Sequence, residues 1–285
     1  MSRIAYVNGD YVAHGRAAVH VEDRGYQFAD GVYEVIAVRN GALIDGDGHM
    51  RRLQYSLDEL EIAMPMSPRA LAVVIAETIR RNRILNGIVY LQITRGSSPR
   101  NHPFPDFVRP ALVITARRAA FPTDAEGVAG GHVITIPDIR WSRCDIKTVS
   151  LLPAVLAKQQ AVEADAYEAW MIDGDGYITE GSSTNAWIVD KHGALVTRPK
   201  SHAILGGITR ETVLRLAAEN GIEVIERPFT LEEAVGAREA FLTSTTSFVK
   251  PITRIDEHAI ANGEPGQITL RLLKLYIDYM KTCAA

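Results

Sequence analysis

The run Cys144-Asp145-Ile146-Lys147-Thr148-Val149-Ser150-Leu151-Leu152 places one lysine between a predicted strand and a predicted helix, with apolar residues crowding it on both sides. Upstream, His132 to Ile136 reads as a strand. Downstream, a helix is expected from about Leu151 to Asp165, followed by a strand over Glu168 to Ile172. The lysine is conspicuous because amines are scarce. Of 31 basic residues only seven are lysines, at 147, 158, 191, 200, 250, 274 and 281, and the first 146 residues contain none. Lys158 falls in the predicted helix beside Gln159 and Gln160 and reads as solvated. Lys191 and Lys200 fall in turns, Lys274 and Lys281 on the polar side of the last helix, and Lys250 just before Pro251. Apolar crowding disfavours a charged amine. Lys147 is therefore the candidate for chemistry that needs a neutral amine, such as Schiff-base formation. The plainer alternative is a lysine snorkelling from a strand end.

Toward the N-terminus, Val32 to Val38 is β-rich and turns at Asn40-Gly41 into a second short strand, Ala42 to Ile44. Residues 49–62 read as a helix. Ser67-Pro68 opens another, running to about Asn86-Gly87. Ile88 to Thr94 and Ala111 to Ala116 read as strands, separated by a proline-stiffened loop. Residues 119–131 are rich in Ala, Gly and Pro and read as a linker, dividing the chain into an N-terminal domain, 1–118, and a C-terminal domain, 132–285, that carries Lys147. In the latter, strands are expected at 186–190, 239–243 and 248–255. Helices are expected from Thr209 to Asn220-Gly221 and over 267–281, with a capping box at Thr230-Leu231-Glu232-Glu233. The expected fold class is α+β, in two domains.

Composition narrows the function. The formal charge of −3 and a pI near 6.3 argue against a nucleic-acid binder. No apolar run approaches the roughly 20 residues of a membrane span. The start, Met1-Ser2-Arg3-Ile4-Ala5-Tyr6, lacks a signal-peptide core, and Cys144 and Cys283 are too few for a disulfide framework or a thiolate zinc site. A reduced, cytoplasmic protein is expected.

Three polar turns stand out in the second half: Gly206-Gly207-Ile208-Thr209 before a helix, the five hydroxyls Thr243-Ser244-Thr245-Thr246-Ser247, and Thr179-Glu180-Gly181-Ser182-Ser183-Thr184-Asn185. Free N–H groups at a helix start suit a phosphate. Each taken alone is equally a plain polar turn. In Arg100-Asn101-His102 an extended backbone points Arg100 and His102 to one side, where they could meet a carboxylate or simply face solvent. The run Asp23 to Glu34 is dense in charged and aromatic residues, and spacing assigns it no role.

Taken in order, these segments resemble the class IV aminotransferases, the fold-type-IV enzymes that use pyridoxal 5′-phosphate, and within them the bacterial D-amino acid transaminases. The resemblance rests on Asp23 to Glu34, Thr94 to His102, Arg140 to Lys147, Ala154 to Gln159, Thr179 to Ser183, Gly207 to Arg210 and Thr243 to Ser247. It implies two α/β domains with the cofactor between them. It implies that Lys147 holds the cofactor as a Schiff base and shuttles the proton, and that Glu180 pairs with the pyridinium nitrogen. Arg52, followed by Leu53 as in the family pattern, would bind the phosphate with Ile208, Thr209 and Thr245, and Leu205 would pack on the ring. Tyr33, Arg100 and His102 match the family's substrate-carboxylate trap, with the Arg and His given by the neighbouring subunit; a homodimer with shared active sites follows. The implied reaction is transamination between a D-alanine-like D-amino acid and a 2-oxo acid such as 2-oxoglutarate or pyruvate. The alternatives are a branched-chain L-amino acid or R-selective amine transaminase of the same fold and, outside the class, a non-catalytic phosphate-ligand binding protein. Ala29 departs from the pattern, standing where Gly is usual.

Overall fold

The structure, a computed structural model, describes residues 3–283. Asn8-Gly9 folds the chain back into a hairpin of β1 (Ile4–Val7) and β2 (Asp10–Ala13). No hairpin is expected here from the strand pattern, although the dipeptide is the same signal that marks Asn40-Gly41. After a 3-10 turn at His14–Arg16 come α1 (Arg24–Phe28), β3 (Gly31–Arg39), β4 (Ala42–Leu43), α2 (Gly46–Glu59), α3 (Pro68–Asn82), β5 (Gly87–Thr94) and β6 (Ala111–Arg118). The strands form one sheet in the order β2-β1-β6-β5-β3-β4, with every pairing antiparallel. Alternation buries Val32, Ile36 and Val38 of β3 with Val89, Leu91 and Ile93 of β5, in one cluster with Leu53 and Leu57 of α2 and Leu71, Ile75 and Ile79 of α3. Ser67 caps α3 by accepting from the Ala70 N–H, and Arg83, at φ 53°, ends it ahead of the expected Asn86-Gly87. That left-handed turn is closed by the Arg83 N–H donating to the Ile79 and Arg80 carbonyls.

The rest of the chain builds a second sheet. Its elements are β7 (Gly131–Pro137), α4 (Leu152–Glu163), β8 (Glu168–Ile172), β9 (Ile178–Gly181), β10 (Asn185–Val189), β11 (Leu195–Thr197), α5 (Ile208–Glu219), β12 (Val224–Glu226), α6 (Leu231–Val235), β13 (Glu239–Ser244), β14 (Phe248–Ile255), β15 (His258–Ala259) and α7 (Gln267–Cys283). The sheet runs β12-β11-β10-β13-β14-β7-β8-β9, with β15 on β14. It is mixed: β7 lies parallel to both β8 and β14, and β11 to β12. The β7-to-β8 connection is the helix α4, as a parallel pair requires. Val133, Trp170, Ile188, Leu242 and Ile252 share its core with Phe229. Thr230 and Glu233 form the expected capping box on α6. One expected turn is resolved differently. Ile178–Gly181 is a wholly buried strand, and only residues 182–184 turn. A carboxylate in the middle of four residues breaks the apolar alternation that would mark a strand.

The chain divides into two compact units, the first formed mainly by residues up to Phe121 with Ile146–Ser150, the second by Pro122–Asp145 and Leu151–Lys281. Lys147, expected in the C-terminal domain, thus belongs to the first unit. The reason is main-chain hydrogen bonding to β3. The Tyr33 N–H donates to the Lys147 carbonyl at 3.0 Å, the Val149 N–H donates to the Gly31 carbonyl at 3.0 Å, and Thr148 bridges Val32. Ile146 enters the first unit's core. Among the described residues no helix is long and apolar enough to cross a membrane.

Candidate active site

In the first unit the site grows from β3. Glu34 occupies a core-facing position of that strand, where alternation would place an apolar side chain, and it is fully buried. A buried carboxylate needs partners. They come from α2, where His49 and Arg52, one turn apart, face the strand together. Arg52 donates from Nε to Glu34 Oε1 and from Nη2 to Oε2, both at 2.7 Å, and His49 Nδ1 lies 2.7 Å from Oε2. Burial alone would raise the Glu34 carboxyl, but the charge and hydrogen bonds of Arg52, with those of His49, outweigh it and hold it at about 2. Burial lowers the His49 imidazole, against the pull of Glu34. Arg51 is exposed, so Arg52 is the inward-facing arginine of the pair.

Lys147 is fixed from both sides of its backbone, because its N–H donates to Ser56 Oγ on α2 at 3.1 Å. Its Nζ lies 4.1 Å from the centre of the Tyr33 ring, which packs in turn on Tyr90 at 5.7 Å. Lys147 is also among the charges felt by His49. Tyr33, Arg52 and Lys147 are therefore neighbours in a small, highly charged region. Arg100 and His102 lie on the exposed loop between β5 and β6, and both pack on Phe28: Arg100 4.8 Å from the ring centre, His102 with its ring at 5.4 Å.

In the second unit the site grows from β9. Glu180 is buried and accepts from the Leu205 N–H at 3.1 Å, from Asn185 Nδ2 at 2.9 Å, and from Arg140. Burial raises its carboxyl above the ordinary carboxylate range, with Arg140 pulling the other way. Arg140 is itself held by Asp138, at 2.9 Å from Nε and 2.7 Å from Nη2. Asn185 also donates to the Leu205 carbonyl at 2.9 Å. Close by, α5 starts at Ile208 after Gly207, with no side chain capping it. A Cβ at Gly207 would stand 2.0 Å from Asn185 Oδ1, so only glycine lets the helix start approach so closely. Ile208 and Thr209 are buried in its first turn. Asn185 pairs with Thr243, so the turn that follows β13, carrying Thr245, leaves the sheet at the same end. Leu205 is half-buried.

Glu180, Leu205, Ile208, Thr209 and Thr245 thus gather in the second unit, and Tyr33, Arg52 and Lys147 in the first. Sequence reasoning misses Glu34, His49, Arg140 and Asn185. The i, i+3 pair His49/Arg52 on the predicted helix opposite a carboxylate in an apolar strand is a legible signal for the first two.

The chain belongs to the class IV amino-transferases, a family that matches residues 31–255. It is an aminotransferase, and its α+β fold is that of the class. At the level of particular relatives, it is 42 % identical over 262 residues to D-alanine aminotransferase of Bacillus licheniformis, covering 92 % of each chain. To D-alanine aminotransferase of Listeria monocytogenes serotype 4b (strain F2365) it is 40 % identical over 274 residues, covering 95 % of this chain and 94 % of that one. Among solved structures it is similar to the T.th. branched-chain amino acid aminotransferase with pyridoxamine 5′-phosphate, at TM-score 0.91 and 27 % identity, covering 99 % of this chain and 95 % of that chain.

Proposed function

We propose that the chain is a pyridoxal 5′-phosphate-dependent transaminase that moves an amino group from a D-alanine-like D-amino acid to a 2-oxo acid such as 2-oxoglutarate or pyruvate. The observation that carries the reading is Glu180, a carboxylate built into a strand and gripped by Arg140, Asn185 and the Leu205 N–H. An anion so placed suits a protonated ring nitrogen. The uncapped start of α5, with Thr209 and the neighbouring Thr245, suits a phosphate. The donor set therefore fits the cofactor. The identities of 40 % and 42 % to D-alanine aminotransferases favour the D-amino acid reading over the branched-chain one.

When bound, the cofactor supplies an electron sink for charge developing at the substrate Cα. In this reading Lys147 would hold the cofactor through its amine, and the same amine would take the proton from the substrate Cα and give it back on the way to product. Glu180 keeps the proton on the ring nitrogen, Arg52, Ile208, Thr209 and Thr245 hold the phosphate, and Leu205 packs on the ring. Tyr33, Arg100 and His102 bind the substrate carboxylate and so fix which Cα substituent meets Lys147.

A homodimer with shared sites belongs to the same reading. Arg100 and His102 are exposed on the single chain, and α4 leaves Leu152, Val155 and Val162 at 68, 57 and 60 % exposure. So much open apolar surface on one helix supports an association face, in this reading for a second copy. Sedimentation should give a dimer at micromolar concentration, and a monomer would refute it. Both cysteines are free, which supports a reducing, cytoplasmic setting.

The deciding experiment is a substrate panel of D-alanine, L-leucine and an R-amine, each with 2-oxoglutarate, run on the wild type and on Lys147→Ala. D-Alanine should lead, and the variant should lose turnover together with the visible absorbance that borohydride bleaches. Faster turnover of L-leucine, or transamination retained by the variant, would overturn the reading.

A further inference from the structure

The run Asp23 to Glu34, to which spacing assigns no role, folds into a clamp for a distant loop. Asp23 caps α1 by accepting from the Gly25 N–H at 2.9 Å and also accepts from Thr94 Oγ1 at 2.8 Å. A Cβ on Gly25 would stand 2.3 Å from Thr94 Cγ2, so α1 lies flush on the end of β5. This seats Arg24 beneath the β5–β6 loop at 3 % exposure. Its Nε donates to Asp30 Oδ2 at 2.8 Å. Its other donors go to backbone: Nη1 to the Asn101 carbonyl at 2.6 Å and the Pro103 carbonyl at 3.4 Å, and Nη2 to the His102 carbonyl at 3.2 Å. Arg95, 5 % exposed, shares Asp30 at 2.8 Å, donates to the Leu60 and Glu61 carbonyls, and lies 3.5 Å from the centre of the Phe104 ring.

The loop is otherwise mostly exposed, from Pro99 to Phe107. An exposed loop does not need an arginine beneath it, and burying a guanidinium is unfavourable until its partners compensate. A fork that seizes three consecutive carbonyls fixes main chain, and this stretch of main chain includes His102 and adjoins Arg100. Both side chains rest on Phe28, a residue of the same α1, whose ring lies 4.8 Å from the Arg24 guanidinium as well. α1 thus fixes the loop backbone through Arg24 and the two side chains through Phe28.

We propose that Arg24 is a positioning residue for carboxylate recognition, setting the register in which Arg100 and His102 meet the α-carboxylate of the amino or 2-oxo acid. The proposal rests on the carboxylate-trap reading above. Arg24→Lys retains a charge for Asp30 but cannot reach three carbonyls, and Arg24→Gln removes the charge; either variant serves if the other folds poorly. The KM for D-alanine should rise about tenfold or more while kcat at saturation and cofactor affinity hold, which is the pattern of lost carboxylate binding rather than lost chemistry. Hydrogen exchange should quicken at the amides of Ser98 and His102, which donate to the Glu22 carbonyl and to Asn101 Oδ1, and leave those of β3 unchanged, a local readout that general destabilisation would not give. Arg100→Leu is the control that separates the two ideas. If Arg100→Leu raises KM and neither Arg24 variant does, or if their KM rises without faster exchange in the loop, the positioning role is wrong. If Arg100→Leu itself leaves KM unchanged, the trap reading fails and this proposal falls with it.

Discussion

Replacing Glu34 by glutamine keeps its shape and removes its charge. Glu34 is fully buried, and Arg52 with His49 holds its carboxyl at about 2 against an ordinary 4.5. Each pH unit of such displacement is worth about 1.4 kcal/mol, so the charged Glu34 contributes roughly 3 kcal/mol to the folded first unit. Removing one partner of a buried ion pair independently costs about 3–5 kcal/mol, because here the Arg52 guanidinium would stay largely buried against a neutral amide in place of the carboxylate. The two routes agree. Because the folded pKa lies below the unfolded one, the contribution is complete above about 4.5 and is lost as the pH falls toward about 2. Glu34→Gln should therefore be less stable than wild type by roughly 3 kcal/mol near neutral pH, and the gap should close as the pH falls below about 4.5. Urea unfolding followed by circular dichroism, with hydrogen exchange at the amides of β3, measures it. A loss under about 1 kcal/mol near neutrality, or a gap that does not narrow in acid, would refute the assignment of the stability to this charge cluster.

Two further outcomes are expected. Ala29 closes α1 in the left-handed region, at φ 57°. Ala29→Gly should relieve that strain and stabilise the protein by about 1 kcal/mol, raising the melting temperature by about 2–4 °C; a lower melting temperature would contradict it. Arg140→Gln removes the charge that opposes the upward push of burial on Glu180. The acid limb of the kcat/KM profile should then move to higher pH, and an unmoved limb would separate Glu180 from the reaction.

How far the sequence reaches depends on which signals are local. The hairpin at Asn40-Gly41, the Ser67-Pro68 helix start and the Thr230/Glu233 capping box are legible because each is fixed by residues within a few positions of one another. Strand β9 is not, because Glu180 interrupts the only stretch of alternation it has. The domain assignment of Lys147 depends on hydrogen bonds to Tyr33 and Gly31, more than a hundred residues away, and no local pattern announces them. The partners of Glu180 are similarly dispersed, at Arg140, Asn185 and Leu205, and only folding gathers them. Family likeness supplies the residues proposed for the chemistry. It is silent on those behind them, such as Glu34, His49 and Arg24, whose work is visible only as distances.

Because residues 146–150 complete the margin of β3, the first unit is discontinuous in the chain. Synthesis delivers the last strand of its sheet, which ends at Arg118, before it delivers the lysine. Until about residue 150 has emerged, the Gly31 carbonyl and the Tyr33 N–H lack their native main-chain partners, and Ser56 Oγ lacks the Lys147 N–H. The nascent N-terminal sheet is thus an open edge, the kind that invites strand pairing with another chain. The segment that closes this edge is the one that carries the amine, so the order of synthesis makes lysine placement a late event in the maturation of this unit.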